Sequence, residues 1–312
     1  MFKKTIHLIL LTFIFISCTK EIEIEINIPK KKPKLVINSL FVPFTLPYPK
    51  PFGLELSESV SIFDTSSQKF INDATVIISS ENQVIDTMKF IDSLNYYATD
   101  FFPEIDKNYQ LKVSKEGFET VFANDIVPNK INIIDYKVLP IAGINDCGDI
   151  FSEITITFED PINEKNYYEI IVTGADDNNI EHIFSNDNII TSESYYPSLL
   201  SFEAKDPECL LFNDNNINGK KHELKIYYWA PMFTDKDGVN CHIIKLKFNS
   251  VSQNYYKYKT SLLQHLYNQQ WDILYGLGEP VNVFSNINNG YGIFAGYQTD
   301  IETILIEKTE IE

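Results

Sequence analysis

Apolar and polar residues alternate in many short segments along this chain, and turn-forming residues separate the segments. An alternation with a period of two is typical of β-strands that bury one face and expose the other. The clearest alternating segments span residues 109–113, 154–158, 224–229 and 243–248. Largely apolar runs at residues 35–42, 74–78 and 167–172 are also predicted to be strands. Strands this short, at this regular spacing, are typical of β-sandwiches. The sequence therefore predicts a mainly β fold.

The strand segments form two groups, which predicts two β-sandwich domains. We expect the first at residues 35–130, of an immunoglobulin- or transthyretin-like type, and the second at residues 131–312, of a fibronectin-type-III-like type. Within the second group, segments 224–229 and 243–248 are predicted to pair as a hairpin around Asp237 and Gly238.

Near the end of the chain, the spacing of apolar residues changes from that of a strand to that of a helix. Ser252 can cap a helix that we expect to run over about residues 253–274, and the Gly-Leu-Gly-Glu-Pro run at 276–280 would end it. The glycines that follow, Gly290, Gly292 and Gly296, permit positive φ or close backbone approach and predict packing of this strand against the helix. The alternative is a Gly-rich phosphate loop, which lacks the following helix and a nearby lysine. One helix in the C-terminal half thus completes the predicted fold.

The first residues have the layout of a bacterial lipoprotein signal. Lys3 and Lys4 precede a short apolar run at residues 8–16, and Cys18 follows a small residue. The run is about half of the ~20 residues that a membrane-spanning helix needs, so it is typical of a secretory signal. We expect removal of residues 1–17, lipid (palmitate among the acyl chains) on Cys18, and an extended tether over residues 18–34.

Composition and charge narrow the functional classes. An apolar fraction of 44% and an aromatic fraction of 13% exclude a disordered chain. The formal net charge of −17 argues against nucleic acid as a partner, because phosphate binding depends on clustered Lys and Arg. Acidity of this kind suits a hydrated protein of the cell envelope.

Three cysteines remain for the folded region: Cys147, Cys209 and Cys241. In an oxidising compartment two of them can form a disulfide, and the sequence leaves open which two, or whether all stay reduced. The sequence contains no CxxC motif, so the cysteine spacing does not indicate a zinc site.

Two Asn/Asp-rich loops are weak candidates for calcium. Asp214, Asn216 and Asn218 match the first half of a calcium loop, but Lys225 stands where the loop needs a glutamate. Asp235 and Asp237 form a shorter candidate. The alternative for both is a simple turn between strands, so we predict no metal and no other cofactor.

No catalytic constellation is present in the sequence. There is no zinc-protease histidine pair and no Gly-x-Ser-x-Gly motif, so we predict that the chain is not an enzyme. The better candidates for binding are aromatic: Tyr195, Tyr196, Tyr228 and Trp229. If exposed, such rings can stack on a sugar or anchor a peptide or receptor loop; the alternative is that alternate members face the core.

The C-terminal segments, Val251–Tyr258, Pro280–Ile287 and Asn289–Tyr297, together with Cys18, Pro33–Asn38 and Ala74–Val76, carry a family resemblance. On these segments the chain resembles the Bacteroidetes-type lipoprotein family known as domain of unknown function 4249. The resemblance implies an outer-membrane lipoprotein encoded beside TonB-dependent receptors.

From this resemblance we expect a non-catalytic accessory or ligand-binding component of an uptake system, with an outer-membrane β-barrel receptor as partner. The alternative is a structural or adhesive surface lipoprotein without a transport partner. Lys20 and Glu21, just after Cys18, resemble the charged context of surface-exposed lipoproteins, so we expect the protein to face the cell exterior, with the periplasmic face as the alternative.

Overall fold

The computed structural model describes residues 32–44, 51–61, 67–145, 148–177, 179–190, 208–229, 233–235, 237–270 and 281–310. Within these ranges lie nineteen strands and one α-helix, so the mainly β prediction is confirmed. In chain order they are β1 (Leu35–Phe41), β2 (Phe52–Glu58), β3 (Thr75–Ser80), β4 (Gln83–Thr87), β5 (Lys89–Ile91), β6 (Tyr96–Thr99), β7 (Asn108–Ser114), β8 (Val121–Ile126), β9 (Asp135–Ile144), β10 (Ile150–Glu159), β11 (Tyr167–Gly174), β12 (Ile183–Phe184), β13 (Leu210–Asn213), β14 (Lys221–Trp229), β15 (Thr234–Asp235), β16 (Gly238–Val239), β17 (His242–Val251), α1 (Gln253–Gln270), β18 (Tyr291–Ile306) and β19 (Thr309–Glu310).

The strands form one long sheet and three smaller ones. The long sheet has eight strands in the order β13-β11-β17-β18-β1-β2-β6-β5. Two four-stranded sheets, β4-β3-β7-β8 and β12-β14-β10-β9, supply the layers that face it. A small sheet of β15, β16 and β19 completes the set. Sheets that face each other in pairs bury the apolar side of each strand, as in a sandwich.

Strand β18 joins the two halves of the long sheet. Its first part, from Tyr291 to Gly296, pairs in parallel with β1. Its second part, from Tyr297 to Ile306, pairs antiparallel with β17. The predicted domain boundary at residue 130 places β18 wholly in the second domain. In the structure, however, its first six paired residues extend the strands of the first sandwich.

The first core lies between the β4-β3-β7-β8 sheet and the β1, β2 and β6 strands. Aromatic rings fill its centre: the centroids of Phe41 and Phe294 are 4.6 Å apart, and those of Phe52 and Tyr109 are 5.6 Å apart. Phe294 and Ile287 reach this core from the far end of the chain. Packing of aromatic rings from distant segments of the chain therefore stabilises the first sandwich.

The second core lies between the β12-β14-β10-β9 sheet and the strands β11, β13, β17 and β18. It contains the buried residues of the alternating segments, among them Ile154, Tyr168, Ile226 and Phe248. Each of these is fully buried, as the period-two pattern predicts for the inward face of a strand.

The predicted hairpin of residues 224–229 and 243–248 is wrong. Strand β14 pairs with β10 and β12, whereas β17 pairs with β11 and β18. The two segments lie in different sheets, and their apolar faces meet across the second core. Clean alternation shows that a strand has one buried face, but it does not identify the neighbouring strand.

Helix α1 begins where predicted. The Ser252 hydroxyl accepts a hydrogen bond from the Tyr255 amide at 3.1 Å, which is the geometry of an N-cap. The helix is described as far as Gln270, and the remaining predicted residues lie outside the described ranges. It packs against the long sheet on a third apolar cluster, which includes Tyr255, Tyr256 and Ile293.

Strand β18 packs against helix α1 at Ile293, as predicted for this segment. The close backbone approach predicted at the late glycines is present at Gly292, but the neighbour there is strand β1 and not the helix. This residue has φ of +104°, and a Cβ atom there would lie 1.9 Å from the Ile37 carbonyl oxygen of the parallel strand β1. Only glycine allows the backbones of β1 and β18 to approach this closely.

Candidate functional site

The Tyr227-Tyr228-Trp229 run lies at the end of β14, where alternate side chains point to opposite faces. Tyr228 has no exposed surface and belongs to the second core. Its prediction as a binding aromatic is therefore wrong, because a fully buried ring offers no surface to a ligand. Tyr227 and Trp229 point to the outer face and are partly exposed.

Two further rings join Tyr227 and Trp229 on this outer face. Phe151 of β10 lies opposite Trp229, and Phe184 of β12 lies opposite Tyr227. The Phe151 centroid is 5.4 Å from that of Trp229 and 5.7 Å from that of Tyr227, in edge-to-face geometry. The Phe184 ring stacks on Tyr227 at 4.9 Å and on Trp229 at 5.9 Å. We call these four partly exposed rings the aromatic patch.

A glycine on the edge strand makes room for the patch. Gly143 of β9 lies opposite Phe151, and a Cβ atom at this position would lie 2.4 Å from the Phe151 ring. The Phe151 ring can therefore lie over the β9 backbone, beside the other three rings.

Polar groups border the patch on one side. The Glu153 carboxylate accepts a hydrogen bond from the Thr155 hydroxyl at 2.9 Å and pairs with the Lys225 ammonium at 3.1 Å. Burial alone would raise the pKa of Glu153, but the hydrogen bonds from Lys225, Thr155 and Tyr227 outweigh it and lower the pKa. The patch thus carries a neutral ion pair at its border on a strongly acidic chain.

A buried ionic cluster lies under helix α1, on the other face of the long sheet. Glu169 of β11 has no exposed surface, and its carboxylate accepts hydrogen bonds from Tyr255 at 2.7 Å and Asn249 at 2.9 Å. The Lys259 ammonium lies 3.4 Å from the other carboxylate oxygen. Two of these groups belong to the helix, so the cluster fixes how α1 lies on the sheet rather than forming an open site.

The cysteines do not pair within the described residues. Cys209 is a buried free thiol and Cys241 an exposed one, whereas Cys147 lies outside the described ranges. Burial, together with the nearby Glu169 carboxylate, raises the pKa of Cys209. That thiol therefore stays protonated and unreactive at neutral pH.

In the first calcium candidate, the carboxylate that would bind the metal already contacts other groups of the protein. The buried Asp214 carboxylate pairs with the Lys165 ammonium at 2.7 Å and accepts from the Asn166 amide at 2.9 Å. Asn216 is exposed, and the Asn218 side chain bonds to the backbone of the loop at residues 163–164. Asp214 opens a short 3-10 turn, so the segment is built as a polar turn between strands.

The second calcium candidate lies in the small sheet. Asp235 is the last residue of β15, and Asp237 is an exposed turn residue before β16. Across the described ranges, no group of three or more His, Cys, Asp or Glu residues is placed to hold a metal ion.

Sequence reasoning identified one ring of the patch as a binding residue, Trp229, and missed the other three. Tyr227 directly precedes Tyr228 and Trp229 but was not among the predicted residues. Phe151 and Phe184 carry no local signal, because neither has an aromatic neighbour in the sequence. They become neighbours of Trp229 only through the pairing of β14 with β10 and β12.

In the comparison with protein families, the chain matches the domain of unknown function (DUF4249) over residues 21–303. The chain belongs to the DUF4249 family. This match confirms the resemblance on which the sequence-based expectations rest. No curated protein matches the chain.

Among solved structures, this DUF4249 chain is similar to the crystal structure of a Corynebacterium diphtheriae protein described as membrane anchored. The two share 8% identity with a TM-score of 0.20, and the match covers 72% of this chain and 55% of that one. The chain thus spans about half the length of that protein. A likeness at this level carries no argument about function.

Three predicted residues of the DUF4249 chain lie outside the described ranges: Cys18, Tyr195 and Tyr196. In the part of the chain that the structure describes, no helix has both the length and the apolar character to cross a bilayer.

Proposed function

We propose that this DUF4249 protein is a non-catalytic, lipid-anchored protein of the outer membrane that faces the cell exterior and binds a receptor of an uptake system. The aromatic patch carries the proposal. Four partly exposed rings cluster on the outer face of a sheet whose other side is fully packed. Clustered aromatic side chains in the centre of a contact surface supply most of the binding energy in many protein interfaces.

The charge around the patch favours a protein partner over an anionic surface. The chain has a net charge of −17, and the Lys225 ammonium at the border of the patch is already paired with Glu153. The patch is therefore an uncharged aromatic area on an acidic molecule. Such an area suits an apolar loop of a receptor, surrounded by a polar rim.

The anchor part of the proposal rests on the sequence. Cys18 follows an apolar run of secretory length, and the segment between Cys18 and the first strand is long enough to act as a spacer. A lipid on Cys18 would hold the folded region near the membrane, where the effective concentration of a membrane receptor is high.

Copurification tests the proposal. The full lipoprotein is extracted in a mild detergent, and large β-barrel proteins that come with it are quantified. The patch variant carries Phe184→Ser and Trp229→Ser, and the matched control carries Leu94→Ser, an exposed apolar residue (61%) of the first sandwich. We expect recovery of a receptor with the wild type and the control, and a loss of at least about tenfold with the patch variant.

Three results would contradict the proposal. Equal recovery of a receptor with the patch variant, at unchanged circular dichroism, would show that the aromatic patch is not the contact surface. The absence of any β-barrel partner from wild-type preparations would favour a structural or adhesive role instead. A Cys18→Ala variant that stays in the membrane fraction would refute the lipid anchor.

A further inference from the structure

A cavity of about 430 Å³ opens at one end of the second sandwich. It lies between the turn that follows β11 and the first residues of β17. None of the four rings of the aromatic patch lines it. We call it the end cavity, and its volume is in the range of small-molecule sites.

The walls of the end cavity are largely apolar. Ile243 and Leu305 are paired across β17 and β18, and they are 41% and 59% exposed, so both offer apolar surface. The Phe233 ring stacks on His242 at 4.4 Å with an angle of 4° between the planes. An apolar ligand body would therefore find contacts on two sides of the cavity.

The polar groups of the cavity are acidic or neutral. Asp176 and Glu181 supply two carboxyl groups, and no Lys or Arg is present among the lining residues. Burial lowers the pKa of His242, which favours the neutral imidazole, and the Nδ1–H of the ring donates a hydrogen bond to the Asn240 carbonyl at 2.8 Å.

The nearest basic side chains on the adjoining strand are already paired. Lys245 and Lys247 both reach the Asp177 carboxylate, at 2.5 and 2.8 Å, and their pairing lowers the pKa of Asp177 to about 2. Burial raises the pKa of Glu181, which forms no side-chain hydrogen bond to the described residues. A cation placed beside Glu181 would satisfy a partly buried carboxylate that now lacks a hydrogen-bond donor.

We propose that the end cavity binds an organic cation: a primary amine with an apolar body. The ammonium group would donate hydrogen bonds to Glu181, with Asp176 adding negative charge. The apolar body would lie against Ile243, Leu305 and Phe233. This site is separate from the aromatic patch, so the proposal stands whether or not the patch binds a receptor.

Calorimetry with matched probes tests it. The full chain carries Cys18→Ala so that no lipid competes, and it is titrated with 2-phenylethylammonium and, separately, with the neutral isostere 2-phenylethanol. We expect the ammonium probe to bind at least about tenfold more tightly than the alcohol. Glu181→Gln should remove this preference and leave the alcohol unchanged. Glu223→Gln, at an exposed glutamate of β14, is the matched control and should behave as the wild type.

A second measurement does not depend on the variant. Cys241 is exposed and lines the end cavity, so the ammonium probe at saturation should slow maleimide labelling of this thiol several-fold, in a Cys147→Ser background. Equal affinities for the two probes, an unchanged preference in Glu181→Gln, or labelling of Cys241 unaffected by the probe would each overturn the proposal. So would dissociation constants weaker than about 10 mM for both probes.

Discussion

At the residue scale, Asp125 connects three elements through one carboxylate. It lies on β8 and is 5% exposed. Its Oδ2 accepts from the Ser252 hydroxyl at 2.5 Å and from the Gly296 amide at 3.2 Å. Ser252 caps helix α1, and Gly296 lies in β18, so a side chain of the first sandwich stabilises the helix cap and the shared strand.

Asp125 should make stability depend on pH. Burial raises its pKa from 3.8 to about 6, against the opposing effect of its hydrogen bonds. Between these values the unfolded chain has lost the proton and the folded chain retains it, so the free energy of unfolding falls as pH rises. We expect a loss of about 3 kcal/mol from this group between about pH 3.5 and pH 6.5, measured by urea unfolding.

The variant Asp125→Asn isolates this effect. Its amide oxygen can still accept from Ser252 and Gly296, but it does not ionise. We expect the variant to lose the pH-dependent fall, so that it is more stable than the wild type at pH 7. Asp135→Asn, at an exposed aspartate, should keep the wild-type profile. A profile of Asp125→Asn that matches the wild type would show that this carboxyl group does not titrate as described.

At the scale of elements, β18 is a 16-residue strand with two different partners along its length. Its parallel pairing with β1 requires the close approach at Gly292. Gly117, by contrast, lies in a turn with φ of +85°, and a Cβ atom there would meet nothing within 4 Å. A comparison of substitutions at the two glycines therefore distinguishes the cost of a positive φ from the cost of a steric clash.

The variant Gly292→Ala should cost more stability than Gly117→Ala. At Gly117 the cost is the positive φ alone, about 1–2 kcal/mol. At Gly292 the new methyl group would also push against the Ile37 carbonyl and separate β1 from β18, for a total loss of at least about 3 kcal/mol. Midpoints of urea unfolding measure both. Similar losses in the two variants would show that the strands can adjust to the extra atom.

At the scale of the whole molecule, one sheet serves both cores. The first core contains Ile287 and Phe294, which come after strands β9 to β17 in the sequence. The residues from Pro33 onward accordingly form one compact unit. Two sandwiches that share a sheet should unfold together, because the loss of β18 removes a strand from each.

A fragment of residues 33–130 should therefore not fold by itself. It would expose the edge of β1 and lack the Phe294 ring that lies 4.6 Å from Phe41. We expect poor chemical-shift dispersion in its NMR spectrum and no cooperative unfolding. The control fragment adds residues 281–298 through a flexible linker and should recover both. Cooperative unfolding of the short fragment alone would contradict the shared-strand account.

The sequence by itself determined the local properties of this protein. Alternating segments and short apolar runs predicted seven strands of the two cores, because strand geometry places every second side chain on one face and a doubly buried strand is apolar on both. The Ser252 cap predicted the start of helix α1, since capping involves only neighbouring residues. The family resemblance, carried by segments near both ends of the chain, was confirmed over residues 21–303.

Tertiary structure decided which strands pair, and therefore which face of each strand is buried and which residues become neighbours. Alternation shows that Tyr227 and Tyr228 point to opposite faces, but not which face is buried; that follows from packing of the β14 sheet on the long sheet. Pairing with β10 and β12 brings Phe151 and Phe184 to Trp229, and the same long-range pairing places β18 beside β1. These contacts join residues far apart in the chain, so no local pattern encodes them.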